Sequence, residues 1–367
     1  MLVLRYSIIG TLFCFLGFSS AAPALSFLHH DPYSTCTTSN VVVRRPWDDL
    51  STPERLSYIS AVKCMTTLPS LTPSSLAPGA RNRLDDFVYA HINVTNFIHL
   101  SGLLLPWHRQ FIWSWEQALR NECGYSGYLP YWDWARHSNN LTSSPVFGPG
   151  PAAFGSNGKY IPHHLNATSP LVGLPAPGVT VPRVTGTGGG CVKDGPFADM
   201  TLHLGPVSPS YNDIPNNKFG TQYNPRCLKR DFHQPSVTGN MTYEAIASLL
   251  RTRSIVEFRP QLEHPTGVHI SGHNFLGGDG GDTYSSPNEP LFFLHHAQID
   301  RLWTIWQGQD IGGRRGALDG TVTVANVPPS EDATLESVMR MGAPAGGDLP
   351  IGHAMLTVGN EYCYMYV

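Results

Sequence analysis

The sequence predicts a mainly α-helical fold in which a four-helix core is wrapped by long loops and a few short strands. Two observations predict it. Apolar side chains recur at helical spacing within residues 41–141 and again beyond residue 243. Residues 143–235, by contrast, lack periodicity and are dense in Gly, Pro, Ser and Asn. The whole chain has 36 glycines and 31 prolines, so much of it must form ordered loops around the helices.

Three helices are predicted in the first of these regions. The first runs from Pro53 to Lys63, because a proline after Ser and Thr opens a helix well. The second spans Arg81 to Leu103. The third runs from Pro106, taken as its first position, to about Arg120, with Gly124 beyond it as a stop signal.

The middle segment has two interpretations. It can wrap over the helical core, stapled by Cys191 and Cys227, or it can be a flexible linker between two domains. Helices resume at Tyr243, and a strongly amphipathic helix opens at Pro290. The tail, residues 312–367, is expected to be loop-like with short strand-forming pieces at 320–327 and 354–359.

The N-terminus predicts secretion. Arg5 is followed by an uncharged apolar run and then by small residues, which is the layout of a signal peptide over residues 1–22; the alternative is a buried hydrophobic helix. Six cysteines remain after this segment, an even number that suggests three disulfides without choosing among the 15 pairings. They are Cys36, Cys64, Cys123, Cys191, Cys227 and Cys363. Four Asn-X-Ser/Thr acceptors also predict a glycoprotein. They are Asn93, Asn140, Asn166 and Asn240.

The charge of the chain excludes some partners. Lys and Arg number 24 against 27 Asp and Glu, a formal net charge of −3, which provides no concentrated basic surface for nucleic acid. No stretch beyond the N-terminus has transmembrane length, so no membrane partner is expected. The oligomeric state is left open.

The histidines form an ordered pattern on the predicted helices. His91 and His99 are eight residues apart and share one helical face, and His108 opens the next helix. His269 and His273 are four apart, and His296 follows in the middle of the helix that opens at Pro290. The two halves echo each other, since each places two histidines on one element and a third on its partner.

Three neutral imidazoles suit copper, zinc, nickel or iron, and facing helices bring inward side chains to one depth. Two such triads would make a binuclear centre. No cysteine accompanies the histidines, there is no HExxH motif, and the carboxylates of di-iron bundles are missing. Packed core histidines are the alternative for any one of these residues.

At this point the sequence resembles the tyrosinase, catechol oxidase and hemocyanin group of type-3 copper proteins. The segments that carry the resemblance are residues 91–116 and 268–303. The first contains Pro-Trp-His-Arg at 106–109, and the second contains His-x3-His at 269–273. A Pro-x-Phe-x-x-His-His-x-x-x-Asp-Arg-x-Trp element follows at 290–303.

The resemblance implies two copper ions per chain, with O2 as co-substrate and small phenols as substrates. The six ligands it implies are His91, His99, His108, His269, His273 and His296. Of the adjacent histidines His295 and His296, the family uses the second as the ligand, so His295 is expected to point away from the metal. Asp300 is expected to hold a ligand ring or to pair with an arginine. Glu263 is the candidate catalytic base, acting through a water, with a solvated or helix-capping carboxylate as the alternative.

The ends of the chain match the family more weakly. Arg45 with Trp47 resembles its N-terminal arginine element, and Tyr362 with Tyr364 resembles the Tyr-x-Tyr that closes its catalytic domain. The expectation is one catalytic domain over residues 36–367 without a C-terminal shielding domain, as in the short secreted fungal members.

The resemblance implies a secreted polyphenol oxidase that converts o-diphenols to o-quinones, with o-aminophenols as a further substrate class. Ile270 stands where many monophenol-hydroxylating members have Asn after the first histidine of the second triad, although Asn274 could substitute for it. A true tyrosinase and a hemocyanin-like O2 carrier stay open as alternatives, as does a glycosylated binding protein with a decayed site.

Overall fold

The computed structural model describes residues 36–164, 168–170, 180–182, 184–208 and 218–367. The expected signal peptide and the acceptor Asn166 lie outside these residues. The α-helices of the described chain are α1 (Thr52–Met65), α2 (Arg83–Ile98), α3 (Leu104–Cys123), α4 (Pro235–Thr238), α5 (Tyr243–Leu250), α6 (Ile255–Glu263), α7 (Val268–Leu276), α8 (Leu291–Gly308) and α9 (Ile311–Arg314).

Four of these helices build the core. α3 packs against α8, α2 packs against α3, and α7 packs against α8. Their facing sides are buried and carry large rings such as Trp107, Trp115 and Phe293, with Trp115 stacked on Phe293 at 4.0 Å between centroids. The predicted four-helix core and the mainly helical class are confirmed, and the histidine-bearing elements α2, α3, α7 and α8 are its four members.

The strands are short and lie outside this core. They are β1 (Val42–Arg44), β2 (Gly158–Tyr160), β3 (Thr168–Pro170), β4 (Thr180–Pro182), β5 (Gly189–Val192), β6 (Thr201–Leu202), β7 (Arg226–Cys227), β8 (Val338–Met339), β9 (Leu349–Pro350), β10 (Val358–Gly359) and β11 (Tyr362–Tyr366). β1 pairs in parallel with β11, with Val42 opposite Tyr364, and β10 pairs with β11 antiparallel. This small sheet brings the two ends of the described chain together.

Three disulfides secure the loops and the ends. Cys36 bonds to Cys363, next to the β1–β11 pairing, and Cys64 bonds to Cys123, which ties the C-terminal ends of α1 and α3. Cys191 bonds to Cys227 within the middle segment, the staple that the sequence suggested. Part of that segment packs on the core, since Phe232 stacks on Phe275 of α7 at 4.8 Å between centroids.

The predicted helix boundaries were wrong in places, each for a local reason. α2 ends five residues earlier than predicted, because His99 is extended and Leu100 has a φ of 47°. α3 begins at Leu104, so Pro106 is its third residue, while Gly124 ends it in the left-handed conformation as predicted. The piece 320–327, expected to form a strand, contains a short 3-10 turn at Val324–Asn326 instead.

Helix α6 was not predicted from the sequence. Pro260 lies inside it, and a proline normally argues against a helix interior.

Of the described helices, none has both the length and the apolarity required to cross a bilayer.

Candidate metal centre

The first histidine triad lies where α2 and α3 meet. His91 faces inward from α2, His99 follows the end of that helix, and His108 lies in the second turn of α3. Their ring centroids are 5.1, 5.4 and 5.6 Å apart, and all three rings are buried. One nitrogen from each lies within 4.8 Å of the others. The structure therefore brings together the three histidines that the sequence predicted as one triad.

A backbone carbonyl orients each of these rings. Nδ1 of His91 donates to the carbonyl of Tyr284 at 2.7 Å, Nδ1 of His99 to that of Thr95 at 3.0 Å, and Nδ1 of His108 to that of Leu104 at 2.8 Å. With the proton fixed on Nδ1, the lone pair is on Nε2. This is the arrangement by which proteins hold a metal-binding imidazole in one tautomer. No side-chain pattern marks these carbonyls, so the sequence could not reveal them.

The second triad lies between α7 and α8. The ring of His269 is 4.9 Å from that of His273 and 5.1 Å from that of His296, and the last two are 5.3 Å apart. Nδ1 of His273 donates to the carbonyl of Gly280 at 2.9 Å, which leaves the Nε2 lone pair facing the triad. The predicted spacing of four residues on one helical face agrees with the position of this pair on α7.

His295 and His296 compete for the third position, because the ring nitrogens found within 4.8 Å of one another on this side are those of His269, His273 and His295. The hydrogen bonds decide between them. Nε2 of His295 donates to the carbonyl of His269 at 3.0 Å, and its Nδ1 accepts the indole N–H of Trp134 at 3.2 Å. One neutral tautomer satisfies both bonds and leaves no lone pair for a metal. A side chain at Gly272 would overlap the His295 ring, so glycine allows this packing.

The geometry at His296 favours metal binding. Its Nε2 lies 3.2 Å from Nε2 of His273. Two nitrogens bound to one tetrahedral ion at about 2.0 Å each would be roughly 3.3 Å apart. The separation therefore suits two ligands of the same ion.

The two triads face each other across a narrow space. His108 stacks on His296 with 4.3 Å between centroids, and His99 is nearly parallel to His269 at 6.3 Å. Among the described residues, several buried ring nitrogens here have no hydrogen-bond partner. They are Nε2 of His91, Nε2 of His108, both nitrogens of His269 and Nδ1 of His296. Since buried polar atoms are nearly always paired, the residues fit a pair of metal ions held by imidazole.

Burial lowers the pKa values of the buried imidazoles, which favours their neutral form. Loss of hydration lowers the pKa of His99 to about 4, and it lowers the pKa values of His91, His108, His269 and His296 well below the usual 6.5. Neighbouring histidines lower most of them further. A neutral imidazole is the form that binds a metal, and a set without thiolates or carboxylates suits copper, zinc or nickel.

An aromatic wall encloses the site. The Phe292 ring lies 4.2 Å from His296, 5.4 Å from His91 and 5.9 Å from His273, measured between centroids. Trp107 stacks on Phe111 behind His91. These rings exclude water from the back of both triads.

Asp300 pairs with an arginine rather than with a ligand ring. Its Oδ1 accepts Nε of Arg109 at 2.6 Å, and its Oδ2 accepts the hydroxyls of Tyr364 and Tyr366 at 2.7 Å each. Arg109 adjoins His108, and Asp300 lies one helical turn after His296. The buried pair therefore locks α3 to α8 beside the site.

The arginine that meets the C-terminal tyrosines is Arg44, the neighbour of Arg45. The Arg44 guanidinium lies 3.6 Å from the centre of the Tyr364 ring and bonds to Glu116 at 3.0 Å, fully buried. Arg45 lies near the surface and pairs with Glu54. In strand β1 alternate residues face opposite sides, so the register decides which arginine is buried.

Glu263 ends helix α6 and is almost fully buried. Its Oε2 accepts Nη1 of Arg259 at 2.8 Å, and its Oε1 accepts the backbone N–H of Leu100, next to His99. Burial raises the pKa of Glu263 to about 7, against the opposing effect of Arg259. The carboxyl group thus lies between the end of α2 and the start of α7, which carry ligand candidates from both triads.

Comparison with known proteins agrees with this arrangement. Residues 81–309 match the common central domain of tyrosinase. The tyrosinase-like protein orsC of Emericella nidulans is 44% identical over 300 residues, which cover 79% of this chain and 80% of that protein. Tyrosinase P of Aspergillus terreus is 40% identical over 334 residues, 88% of this chain and 91% of that one. The N-acetyl-6-hydroxytryptophan oxidase ivoB of Emericella nidulans is 40% identical over 354 residues, 90% and 93% of the two chains.

A solved structure has the same fold. A mutant of the polyphenol oxidase of Thermothelomyces thermophila superposes with a TM-score of 0.84 at 40% identity and covers 90% of both chains. The matched tyrosinase domain contains all six histidines of the two triads. The chain therefore belongs to the tyrosinase family and is an oxidoreductase that uses O2.

Proposed function

We propose that the chain is a secreted copper enzyme that uses O2 to oxidise o-diphenols to o-quinones, and o-aminophenols to the corresponding quinone imines. The proposed ligands of two copper ions are His91, His99, His108, His269, His273 and His296. One observation carries the proposal. Two triads of imidazoles, buried except for the half-buried His273, face each other, and four of the rings are oriented through Nδ1 by backbone carbonyls.

The substrate class follows from the surroundings of the site. Ile270 is half buried on α7 between two proposed ligands, and it offers no polar atom to take a proton from a monophenol. The buried Phe292 ring makes the back of the site apolar. The relative named an oxidase of N-acetyl-6-hydroxytryptophan also supports a hydroxylated aromatic substrate. Diphenols lose two electrons without needing hydroxylation, so we expect them to be the better substrates.

The copper pair, when bound, supplies the binding of O2 and the acceptance of two electrons from the phenol. The chain supplies the rest. The carbonyl-bonded histidines hold their rings at fixed angles, and the aromatic wall keeps water away. Glu263 accepts a phenolic proton through an intervening water, since its pKa of about 7 matches a base that works near neutral pH.

The export of the protein and the extent of its catalytic domain are part of the same proposal. Residues 1–22 serve as a signal peptide, and residues 36–367 form one catalytic domain. The three disulfides support an oxidising compartment, where such bonds persist.

Metal analysis combined with a substrate panel tests the proposal. Purified wild-type protein should hold two copper ions per chain and oxidise catechol and 2-aminophenol much faster than tyrosol. His108→Ala should lose copper and turnover, while His137→Ala, which removes a histidine paired with Asp48 outside the site, should keep both. Zinc in place of copper, or one metal per chain, would contradict it. Reversible oxygenation without quinone would indicate an O2 carrier, and rapid tyrosol hydroxylation would indicate a true tyrosinase.

A further inference from the structure

The loop between α2 and α3 carries His99 and is held from two sides. On one side lies Glu263 at the end of α6, and on the other lies the tail segment 319–325. The loop has little regular structure of its own. Its conformation therefore depends on these outside contacts.

Leu100, the residue after His99, is the point where both contacts meet. Its φ of 47° lies in the left-handed region, which a leucine rarely adopts. Its N–H donates to Oε1 of Glu263, and its carbonyl accepts the N–H of Ala325 at 2.9 Å. Two hydrogen bonds thus fix an unfavourable backbone conformation beside a proposed copper ligand.

Arg259 holds the carboxylate that makes the first of these bonds. Its Nη1 donates to Glu263 at 2.8 Å, while Nε and Nη2 both donate to Oδ2 of Asp319 at 2.9 and 2.6 Å. The side chains of Arg259 and Glu263 are 14% and 2% exposed, and that of Asp319 is 20% exposed. The planar guanidinium therefore bridges two carboxylates and fixes the distance between them.

The tail approaches the loop closely at two glycines. Gly102 donates its N–H to the carbonyl of Thr321 at 3.0 Å. Gly320 has a φ of 100°, and a Cβ there would lie 2.9 Å from the nitrogen of Gly102. Glycine at 320 allows Asp319 to lie where it meets Arg259 while the following residues bond to the loop.

We propose that Arg259, anchored by Asp319, is a positioning residue for the copper site. It holds Glu263 in place, Glu263 holds the backbone of Leu100, and this chain of contacts fixes the imidazole of His99 relative to His269. This inference rests on the proposed copper ligands. It assigns a role in the site to Asp319, which lies in the tail and outside every ligand motif of the sequence.

The arginine fork is the part that a lysine cannot replace. A lysine ammonium is a single charged centre, whereas the guanidinium donates to Asp319 through two nitrogens and to Glu263 through a third. Arg259→Lys therefore keeps the charge and the stem but breaks the bridge. Asp319→Asn keeps the shape and removes the charge at the least buried of the three residues.

The matched control is Glu122→Gln. Glu122, near the end of α3, accepts Nε and Nη2 of Arg83 at 2.7 and 2.8 Å, so this arginine–carboxylate fork links α3 to α2. Arg83 begins α2, so this fork lies about 24 Å from His99 along the helix axis. Its loss tests whether any broken ion pair near this bundle affects the metal.

The experiment dialyses copper-loaded wild type, R259K, D319N and E122Q against a graded series of a chelator. Four properties are then measured for each protein. They are the copper content per chain, the electron paramagnetic resonance spectrum, the circular dichroism spectrum, and kcat with KM for catechol. We expect R259K and D319N to bind the first-triad copper about tenfold more weakly or worse. At intermediate chelator concentrations these two variants should show the resonance of an isolated Cu(II) ion. Their kcat should fall by a larger factor than their KM rises. E122Q should behave as wild type.

The outcomes separate the two proposals. Fewer than two copper ions in wild type would refute the proposed function. Two copper ions in wild type, with R259K and D319N equal to it in chelator resistance, spectrum and kcat, would refute the positioning role alone. A loss of copper shared equally by E122Q would also refute it. If R259K fails to fold by circular dichroism, D319N decides the result.

Discussion

The neighbouring residues His295 and His296 should respond to substitution in opposite ways. His296→Ala removes a proposed ligand whose Nδ1 has no partner in the described chain, so it breaks no protein hydrogen bond at that atom. His295→Ala removes no ligand, but it leaves the buried indole N–H of Trp134 without a partner and removes one hydrogen bond to the helical carbonyl of His269. The first variant should lose metal, and the second should lose stability.

The magnitude for His295→Ala follows from these two bonds. The unpaired Trp134 N–H costs about 1–3 kcal/mol and the lost bond to the His269 carbonyl about 0.5–1.5 kcal/mol, so the two together cost about 1.5–4.5 kcal/mol before the lost packing against Gly272 is added. A domain has a free energy of unfolding of about 5–15 kcal/mol. The loss is therefore a large fraction of the total. His295→Gln, whose amide can restore one of the two bonds, should recover part of it.

Urea unfolding and copper analysis on the same preparations measure both effects. We expect His296→Ala to hold about one copper per chain, and His295→Gln to hold two with a lower unfolding midpoint. The metal-free forms should be compared as well, because bound copper itself stabilises the folded state. The reasoning is refuted if His295→Gln loses a copper ion, or if His296→Ala keeps both.

Three further predictions concern the acid, the substrate and the chain ends. Since burial raises the pKa of Glu263 to about 7 and the base must be ionised, kcat/KM for catechol should rise with pH through 7, and Glu263→Gln should lower and flatten that profile. The folded chain holds the Glu263 proton more tightly than the unfolded chain does. The stability contributed by the protonated carboxyl should therefore be present below about pH 4.5 and lost as pH rises through 7. Urea unfolding at pH 5 and 8 compares Glu263→Gln with wild type. Ile270→Asn should raise the tyrosol-to-catechol rate ratio, and an unchanged ratio counts against a role for Ile270 in substrate choice. Cys36→Ser with Cys363→Ser should lower the free energy of unfolding by about 3–5 kcal/mol while copper per chain stays at two.

The sequence could predict which histidines come together because helical periodicity carries that information. His269 and His273 are four residues apart, and that spacing alone places them on one face of α7. His91 was placed on α2 by the same argument. The hydrogen-bond partners were not predictable in this way. The proton on Nδ1 of His91 goes to a backbone carbonyl 193 residues away, and every residue of the chain offers the same kind of carbonyl.

The boundaries failed where tertiary contacts override local preference. The apolar residues Leu100 and Leu103 continue the helical pattern of α2, so periodicity predicts a helix through them. The structure ends the helix at Ile98 because Glu263 and Ala325, both distant in sequence, bond to the backbone of Leu100. The same reasoning accounts for Arg44 and Arg45. Adjacent arginines look equivalent until the pairing of β1 with β11 buries one of them.

The misplaced end of α2 lies at the same loop as the proposed positioning role. A loop whose local preference is helical, yet which is held extended at a ligand, keeps its conformation only while the outside contacts persist. The contacts at Leu100 come from α6, which was not predicted, and from the tail, which was expected to be mostly loop. The arrangement of His99 is therefore expected to depend on residues such as Asp319 that have no place in any ligand motif. That dependence explains why a complete set of histidines in the sequence is necessary for the site but does not by itself determine its geometry.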